Sequence, residues 1–365
     1  MNDRLNKLSL WMRENNVDIC FVTNPDNVFY LSGFLSDPHE RLLGIAVFKE
    51  NDAFLVCPAM EKDEAKKAGW NGDIIGHTDT DRPWDLIKDA ITARISSVHT
   101  IAIEKEHMSV ERFERMRNLF PEASFIPAEE KLRILRLKKD RNELATIRKA
   151  CELADFAVQT GMAEIKEGKT ELDIIAAIEY ELKKKGVTAM SFSTMVLTGK
   201  NAASPHGNPG LTKIKKGDLV LFDLGVVVDG YCSDITRTVA YGEVSSKQKE
   251  IYDTVLKGQL KALEAIKPGT AASVVDLAAR NVISEAGYGD YFPHRLGHGL
   301  GISVHEYPSI TESNPLVLEE GMVFTVEPGI YVPEVAGVRI EDDIVVTANG
   351  LEVLTKQPKE LLTIE

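Results

Sequence analysis

Three of the eight histidines in this 365-residue chain fall within twelve residues, in the glycine-threaded run His294-Arg295-Leu296-Gly297-His298-Gly299-Leu300-Gly301-Ile302-Ser303-Val304-His305-Glu306. Imidazoles set among carboxylates point first to a metal ion. The acids that would complete such a site stand in two strand-like segments. In Lys216-Gly217-Asp218-Leu219-Val220-Leu221-Phe222-Asp223-Leu224-Gly225 an acid lies six residues after one glycine and two before another, and Glu320-Gly321-Met322-Val323-Phe324-Thr325-Val326-Glu327-Pro328-Gly329 repeats that spacing. Asp223 and Glu327 therefore read as equivalent positions in two copies of one unit.

Each segment then turns back on itself. Asp229-Gly230 after Val226-Val227-Val228 is a strong hairpin signal. Folding there sets Asp223 opposite Thr236 and puts Asp234 on the same face, at a diagonal offset of roughly 7 to 8 Å, close enough for two carboxylates to share an ion. In the second copy Glu327 leads out through Ile330-Tyr331-Val332, and residues 338–346 return with Glu341 available to face Glu327. Asp234 or Glu341 alone would be ordinary on the wet side of an amphipathic strand. Asp223 is different, because it interrupts the apolar run 219–228, which is typical of a strand covered on both faces. A buried, unpaired carboxylate is costly enough to be protonated or bound by a cation. The four acids, with one imidazole, supply four negative charges, which two divalent ions balance. Carboxylate and imidazole ligands without thiolate suit Mn²⁺, Co²⁺, Zn²⁺ or Fe²⁺, and carboxylates favour the harder end of that series. Two such ions at roughly 3.5 to 4 Å can hold a shared hydroxide and activate it near neutral pH, so hydrolysis is the natural chemistry.

The elements that must position these residues follow from periodicity. The length suits two domains, divided as 1–127 and 128–365. Helix and strand patterns alternate in the first: residues 4–15 are amphipathic, 17–22 and 44–48 read as strands, and the whole is α/β. Its histidines, His39, His77, His99 and His107, share no spacing and read as surface residues. A charged bridge, 131–141, leads to helices over 142–165 and 171–185, then strands, then helices over 247–266 and 272–286, then strands again. That order predicts a duplicated α+β unit. The glycines at 297, 299 and 301 permit close backbone approach, so the histidine run is expected as an irregular strand lining a cleft, with His305 on a buried-looking strand pattern and His294 at the rim. The four cysteines show no CxxC pairing and read as reduced. A net charge of −13 argues against nucleic acid or anionic membrane as partners. No apolar run approaches the ~20 residues that span a bilayer, and the opening residues do not resemble a signal sequence, so a cytoplasmic protein is expected.

The run His294 to Glu306, together with the spacing Asp223, Asp234, His298, Glu327, Glu341, closely resembles the prolidase and aminopeptidase P branch of the pita-bread metallopeptidases, over essentially the whole chain. The resemblance implies a creatinase-like N-terminal α/β domain followed by a pseudo-twofold pita-bread domain, with a curved antiparallel sheet covered by helices. It makes those five residues the ligands of a dinuclear centre, with Asp234 and Glu341 bridging, Glu327 also handling the proton of the attacking water, and Mn²⁺ expected ahead of Co²⁺ or Zn²⁺. His305 and His206 match histidines that hold the substrate and stabilise the oxyanion, and Arg339 matches an arginine near the metals. The branch cuts before proline in small peptides and usually forms dimers. A dipeptidase must recognise a free carboxylate one residue beyond the cut bond, for which Arg295 is the candidate donor, with His294 beside it. The loop carrying Asp37 and His39 resembles one that, in bacterial prolidases, closes over the partner subunit's site and blocks longer peptides. Xaa-Pro dipeptidase is the expected activity. Removal of Xaa from longer Xaa-Pro peptides is the alternative, and a non-catalytic peptide-binding module on the same fold the remote one.

Overall fold

The computed structural model describes residues 3–204 and 207–365, so His206 lies outside the described residues. The chain divides into two units, Met1–Arg136 and Leu137–Glu365. The division follows Arg136 rather than Pro127 because the helix Glu129–Leu137 is fastened to the first unit. The hydroxyl of Tyr30 donates to the Leu135 carbonyl at 2.6 Å, and Arg136 donates to the Asn27 side chain at 2.8 Å.

The first unit is built on a six-stranded mixed sheet, ordered Asp73–His77, Phe54–Pro58, Gly44–Phe48, Ile19–Val22, Thr100–Ile103, Ser124–Pro127. The strands Ile19–Val22, Gly44–Phe48 and Phe54–Pro58 are buried at every position, which explains their unbroken apolar sequence. His77 departs from the surface reading: it is 5% exposed, with Nε2 held 2.8 Å from the Leu42 carbonyl.

In the second unit the four expected helices run Arg141–Ala163, Glu171–Lys184, Ser246–Ala265 and Ala272–Glu285. Reciprocal capping boxes start the first three, Asp140 with Glu143, Thr170 with Asp173 and Ser245 with Gln248. Each helix pair packs its apolar face on its own hairpin, giving two buried cores, one around Phe222 and Ile178, the other around Phe324 and Ile283. In the first hairpin Leu219–Leu224 pairs with Ile235–Tyr241, and Asp223 is opposite Thr236. The same register continues through Val226–Val228 and Tyr231–Cys232 to the turn, where Asp229 and Gly230 both take positive φ, 47° and 81°, as a type I′ turn requires. In the second hairpin Val326 is opposite Asp342 and Gly329 opposite Arg339. Carried across the gap between those pairs, this register sets Glu327 against Glu341.

The hairpins meet along a seam. The Glu341 amide donates to the Thr236 carbonyl at 3.1 Å, and the Thr238 hydroxyl to the Arg339 carbonyl at 3.0 Å. Beside them Arg237, 1% exposed, donates to the Asp342 carboxylate at 2.7 Å and to the carbonyls of Thr236 and Gln357. All four cysteines are free, and all four are buried. Among the described residues no helix is long and apolar enough to cross a membrane.

Gly225 lets the first hairpin close next to Asp223: a Cβ there would lie 1.9 Å from the Ser233 carbonyl oxygen. Gly225→Ala should therefore lower unfolding free energy by about 1–3 kcal/mol or more, seen as a reduced midpoint in urea. An unchanged midpoint would contradict the close-approach account.

Candidate metal centre

The two hairpins and the histidine run converge on one cavity of about 330 Å³. Its wall includes Asp223, Asp234, Glu327, Glu341, His298, His294, His305, Arg295, Arg339 and Tyr331. Ligand atoms of Asp234, His298 and Glu341, all three residues buried, lie within 4.8 Å of one another. His298 Nε2 is 3.2 Å from Glu327 Oε1 and 3.8 Å from Asp234 Oδ2. His298 sits on the short strand Gly297–Gly299, where the pairing with Glu306–Ile310 shifts register between His298 and Gly299, so the expected irregular strand is present. Its Nδ1 faces the Gly299 carbonyl at 3.2 Å, which leaves Nε2 directed at the acids. A larger hollow in the first unit, about 1020 Å³, has no comparable convergence of acids and imidazoles, and two of its four arginines, Arg41 and Arg115, are paired with Asp79 and Glu111.

The acids are partly held by neutral or cationic neighbours. Arg339, 6% exposed, pairs with Asp223 and donates through Nε to the Thr236 hydroxyl at 3.0 Å and through Nη1 to the Tyr331 hydroxyl at 2.7 Å. The Thr236 hydroxyl in turn donates to Glu341 Oε2 at 2.6 Å. Tyr331 also meets His294 Nε2 at 3.0 Å. His294 is thus half-buried and locked into the wall, not free at the rim. The remaining oxygens are the informative ones: Asp234 Oδ1 and Glu341 Oε1 are buried and have no hydrogen-bond partner among the described residues. Unpartnered carboxylate oxygens buried on residues of one cluster are what a cation site requires.

Electrostatics points the same way. Burial, then repulsion from Glu341, pushes the Asp234 carboxyl far above the usual range. Burial, with repulsion from Glu327 and Asp223, does the same to Glu341. Asp223 is raised by burial against the opposing charge of Arg339. Glu327 goes the other way. Burial disfavours its charge, yet the His298 hydrogen bond and the charges of His298, His294 and Arg339 outweigh that and bring it down to about 2. Four carboxylates share the cavity wall with two guanidiniums, Arg295 and Arg339, so the cluster keeps a surplus of negative charge that a divalent cation would offset. The donor set fits divalent metal ions, and the residues that would hold them are Asp223, Asp234, His298, Glu327 and Glu341.

Around this centre the remaining expected residues separate. His305 does not lie in a strand: residues 301–305 form a series of bends and the residue is exposed, though its ring meets that of His298 edge-on at 4.2 Å. Lost hydration, then the neighbouring His298 and Arg295, hold its imidazole down at about 4, so it is neutral at neutral pH. Arg295 lines the cavity and donates to the Ser309 hydroxyl at 3.2 Å. Asp37 and His39 belong to the first unit, on an exposed turn where the Asp37 carboxylate accepts the His39 amide at 3.2 Å. Tyr331, Thr236, Phe192 and Met195 complete the site without a prior signal. Tyr331 and Thr236 look like ordinary strand residues, and only the register opposite Asp223 could have marked Thr236.

Residues 145–348 match the model of metallopeptidase family M24, and residues 4–138 that of the creatinase/prolidase N-terminal domain. An Xaa-Pro dipeptidase of Lactobacillus helveticus is 48% identical over 362 residues, 99% of this chain and 98% of that protein. The solved prolidase of Pyrococcus horikoshii OT3 is similar with a TM-score of 0.91 at 38% identity, over 99% of this chain and 100% of that one. The X-Pro aminopeptidase of Thermotoga maritima MSB8 is similar with a TM-score of 0.88 at 33% identity, again over 99% and 100%.

A group whose folded pKa is raised contributes stability at low pH and loses it as pH rises through that pKa. Asp234→Asn cannot ionise, so metal-stripped Asp234→Asn should gain thermal stability over metal-stripped wild type as pH goes from 5 to 8, and Mn²⁺ should stabilise it less than wild type. Equal Mn²⁺ stabilisation of both proteins would remove Asp234 from the ligand set.

Proposed function

The chain belongs to metallopeptidase family M24, and from that premise we propose that it hydrolyses the peptide bond before proline in Xaa-Pro dipeptides, using divalent metal ions. The observation that carries this reading is a cluster of four carboxylates with His298 on a small cavity, Asp234, Glu341 and His298 being buried, in a chain that matches an Xaa-Pro dipeptidase along nearly its whole length. The bound ions would polarise the scissile carbonyl and lower the pKa of water. We assign two ions per chain, Mn²⁺ ahead of Co²⁺ or Zn²⁺, because hard carboxylate oxygens dominate the donor set.

The chain's own residues divide the remaining work. Glu327, held ionised, accepts the proton of the attacking water. His305, neutral at working pH and accessible from the cavity, donates to the oxygen that becomes negative in the tetrahedral state. His206 is given the same kind of role by its place in the sequence. Arg339 fixes Asp223 and Tyr331, and His294 is fixed in turn by Tyr331. Phe192 and Met195 offer an apolar wall for the pyrrolidine ring. Arg295, half-buried and hydrogen-bonded to the Ser309 hydroxyl at 3.2 Å, with no acid partner among the described residues, is available for the free carboxylate of a dipeptide. Asp37 and His39, exposed in one chain, would limit peptide length from a second copy in a homodimer, and the protein would act in the cytoplasm.

Proline release from an Xaa-Pro dipeptide, compared with an Xaa-Pro-Yaa tripeptide, tests the reading. Mn²⁺-loaded protein should release proline from the dipeptide, and His298→Ala or Asp223→Asn should lose that activity by at least ~100-fold. Arg295→Leu should raise KM for the dipeptide about tenfold or more, the worth of one charge-assisted contact, and leave the tripeptide unaffected. An intact dipeptide alongside a trimmed tripeptide would instead assign the aminopeptidase activity.

A further inference from the structure

We infer that Lys139, through a buried ion pair with Glu306, is the residue that positions His305 at the metal centre. This rests on the peptidase reading for the role of His305, but not for the geometry. Lys139 lies in the charged bridge 131–141, between the two family matches, which end at 138 and begin at 145. Its neighbour Lys138 behaves as such a bridge should, half-exposed and paired with an equally exposed Glu319. Lys139 does not. Its side chain is 1% exposed and its ammonium lies 2.6 Å from Glu306 Oε1, on a side chain that is 9% exposed. Lysine is among the residues least often buried, and removing both charges from water is expensive, so bulk stability is a poor reason for the pair.

Position supplies a better one. Glu306 directly follows His305, and residues 301–305 have no strand partner between Gly297–Gly299 and Glu306–Ile310. Two ties hold the segment on either side of His305. At one, the Cys232 amide donates to the Gly301 carbonyl at 2.7 Å and the Cys232 thiol approaches the Ile302 carbonyl at 3.4 Å, which fastens the segment to the first hairpin. At the other, Glu306 Oε2 accepts the Ser303 amide at 3.4 Å while Oε1 is held by Lys139. The pair rests on bare backbone, since a Cβ on Gly301 would lie 2.6 Å from Glu306 Oε1 and 2.9 Å from Lys139 Cε. Lys139 is itself anchored, its amide donating to the Gly321 carbonyl at 2.8 Å next to the Lys138–Met322 bridge. The ammonium thus links the base of the second hairpin to the bends that present His305 edge-on to His298. Lys139 lines no part of the cavity, so it acts by positioning and not by touching substrate.

The test compares Lys139→Met, Lys139→Met/Glu306→Leu, His305→Ala and Lys139→Met/His305→Ala. Each is assayed for kcat and KM on an Xaa-Pro dipeptide, for bound Mn²⁺, for melting temperature and for the His305 Cε1–H signal in ¹³C-histidine-labelled protein. Lys139→Met should lower kcat by ~10- to 100-fold, as expected for a catalytic group displaced by about 1 Å, with KM and metal content little changed and the His305 signal moved. Removing both charges should restore the melting temperature but not kcat, and adding Lys139→Met to His305→Ala should cost no further activity. Full recovery of kcat in the charge-free double variant, loss of bound Mn²⁺, an additive effect with His305→Ala, or an unmoved His305 signal would each overturn the inference. If wild type releases no proline, the peptidase reading fails while the His305 signal still decides the positioning.

Discussion

Four carboxylates gathered in one low-dielectric cavity cannot all carry charge unless cations accompany them, and the second unit is arranged around that constraint. Like charges a few ångströms apart repel by several kcal/mol at protein-like dielectric, and burial adds to the penalty. Asp234 and Glu341 express it most plainly, each buried with one oxygen that no donor among the described residues satisfies. The protein's own groups relieve the repulsion only in part: Arg339 pairs with Asp223, His298 lies against Glu327, and the hydroxyl of Thr236 donates to one oxygen of Glu341.

What the fold supplies is the register that keeps these acids together. The two hairpins bring Asp223 against Thr236 and Glu327 against Glu341, and the seam between them runs through Thr236, Arg237, Thr238 and Glu341. Arg237 and Asp342 form a second buried pair, with Asp342 directly after the ligand Glu341 and Arg237 directly after Thr236. Such a pair contributes little net stability but leaves few alternative ways to join the two halves. The chemistry then depends on neighbours held just as firmly: Tyr331 between Arg339 and His294, and His305 on a segment tied by Cys232 and Glu306.

Much of this was legible in the sequence because it rests on local rules. The Asp229-Gly230 turn fixes a hairpin and therefore a register, and the repeated spacing around Asp223 and Glu327 exposes the duplication. The four helices of the second unit follow from apolar periodicity, which sets their starts within one residue of those observed. The unreadable parts are those set by contacts distant in sequence. His77 is buried because a carbonyl 35 residues away accepts it, and nothing local says so. The pattern Ile302-Ser303-Val304-His305 has strand-like alternation, yet tethers from Cys232 and Glu306 bend it. Lys139 sits in a run of charges that reads as solvated, and only its partner 167 residues later shows that it is buried. The helix Glu129–Leu137 falls to the first unit through Tyr30 and Asn27, partners that no composition shift near residue 128 could reveal.

The central claim is that cations complete this carboxylate cluster, and calorimetric titration of metal-stripped protein with Mn²⁺ in two buffers of different ionisation enthalpy tests it most directly. Two ions should bind per chain, with protons released as the raised carboxyls of Asp234 and Glu341 give way to metal, and with affinity rising from pH 6 to pH 8. Absence of binding, or binding that releases no protons and is indifferent to pH, would contradict the account.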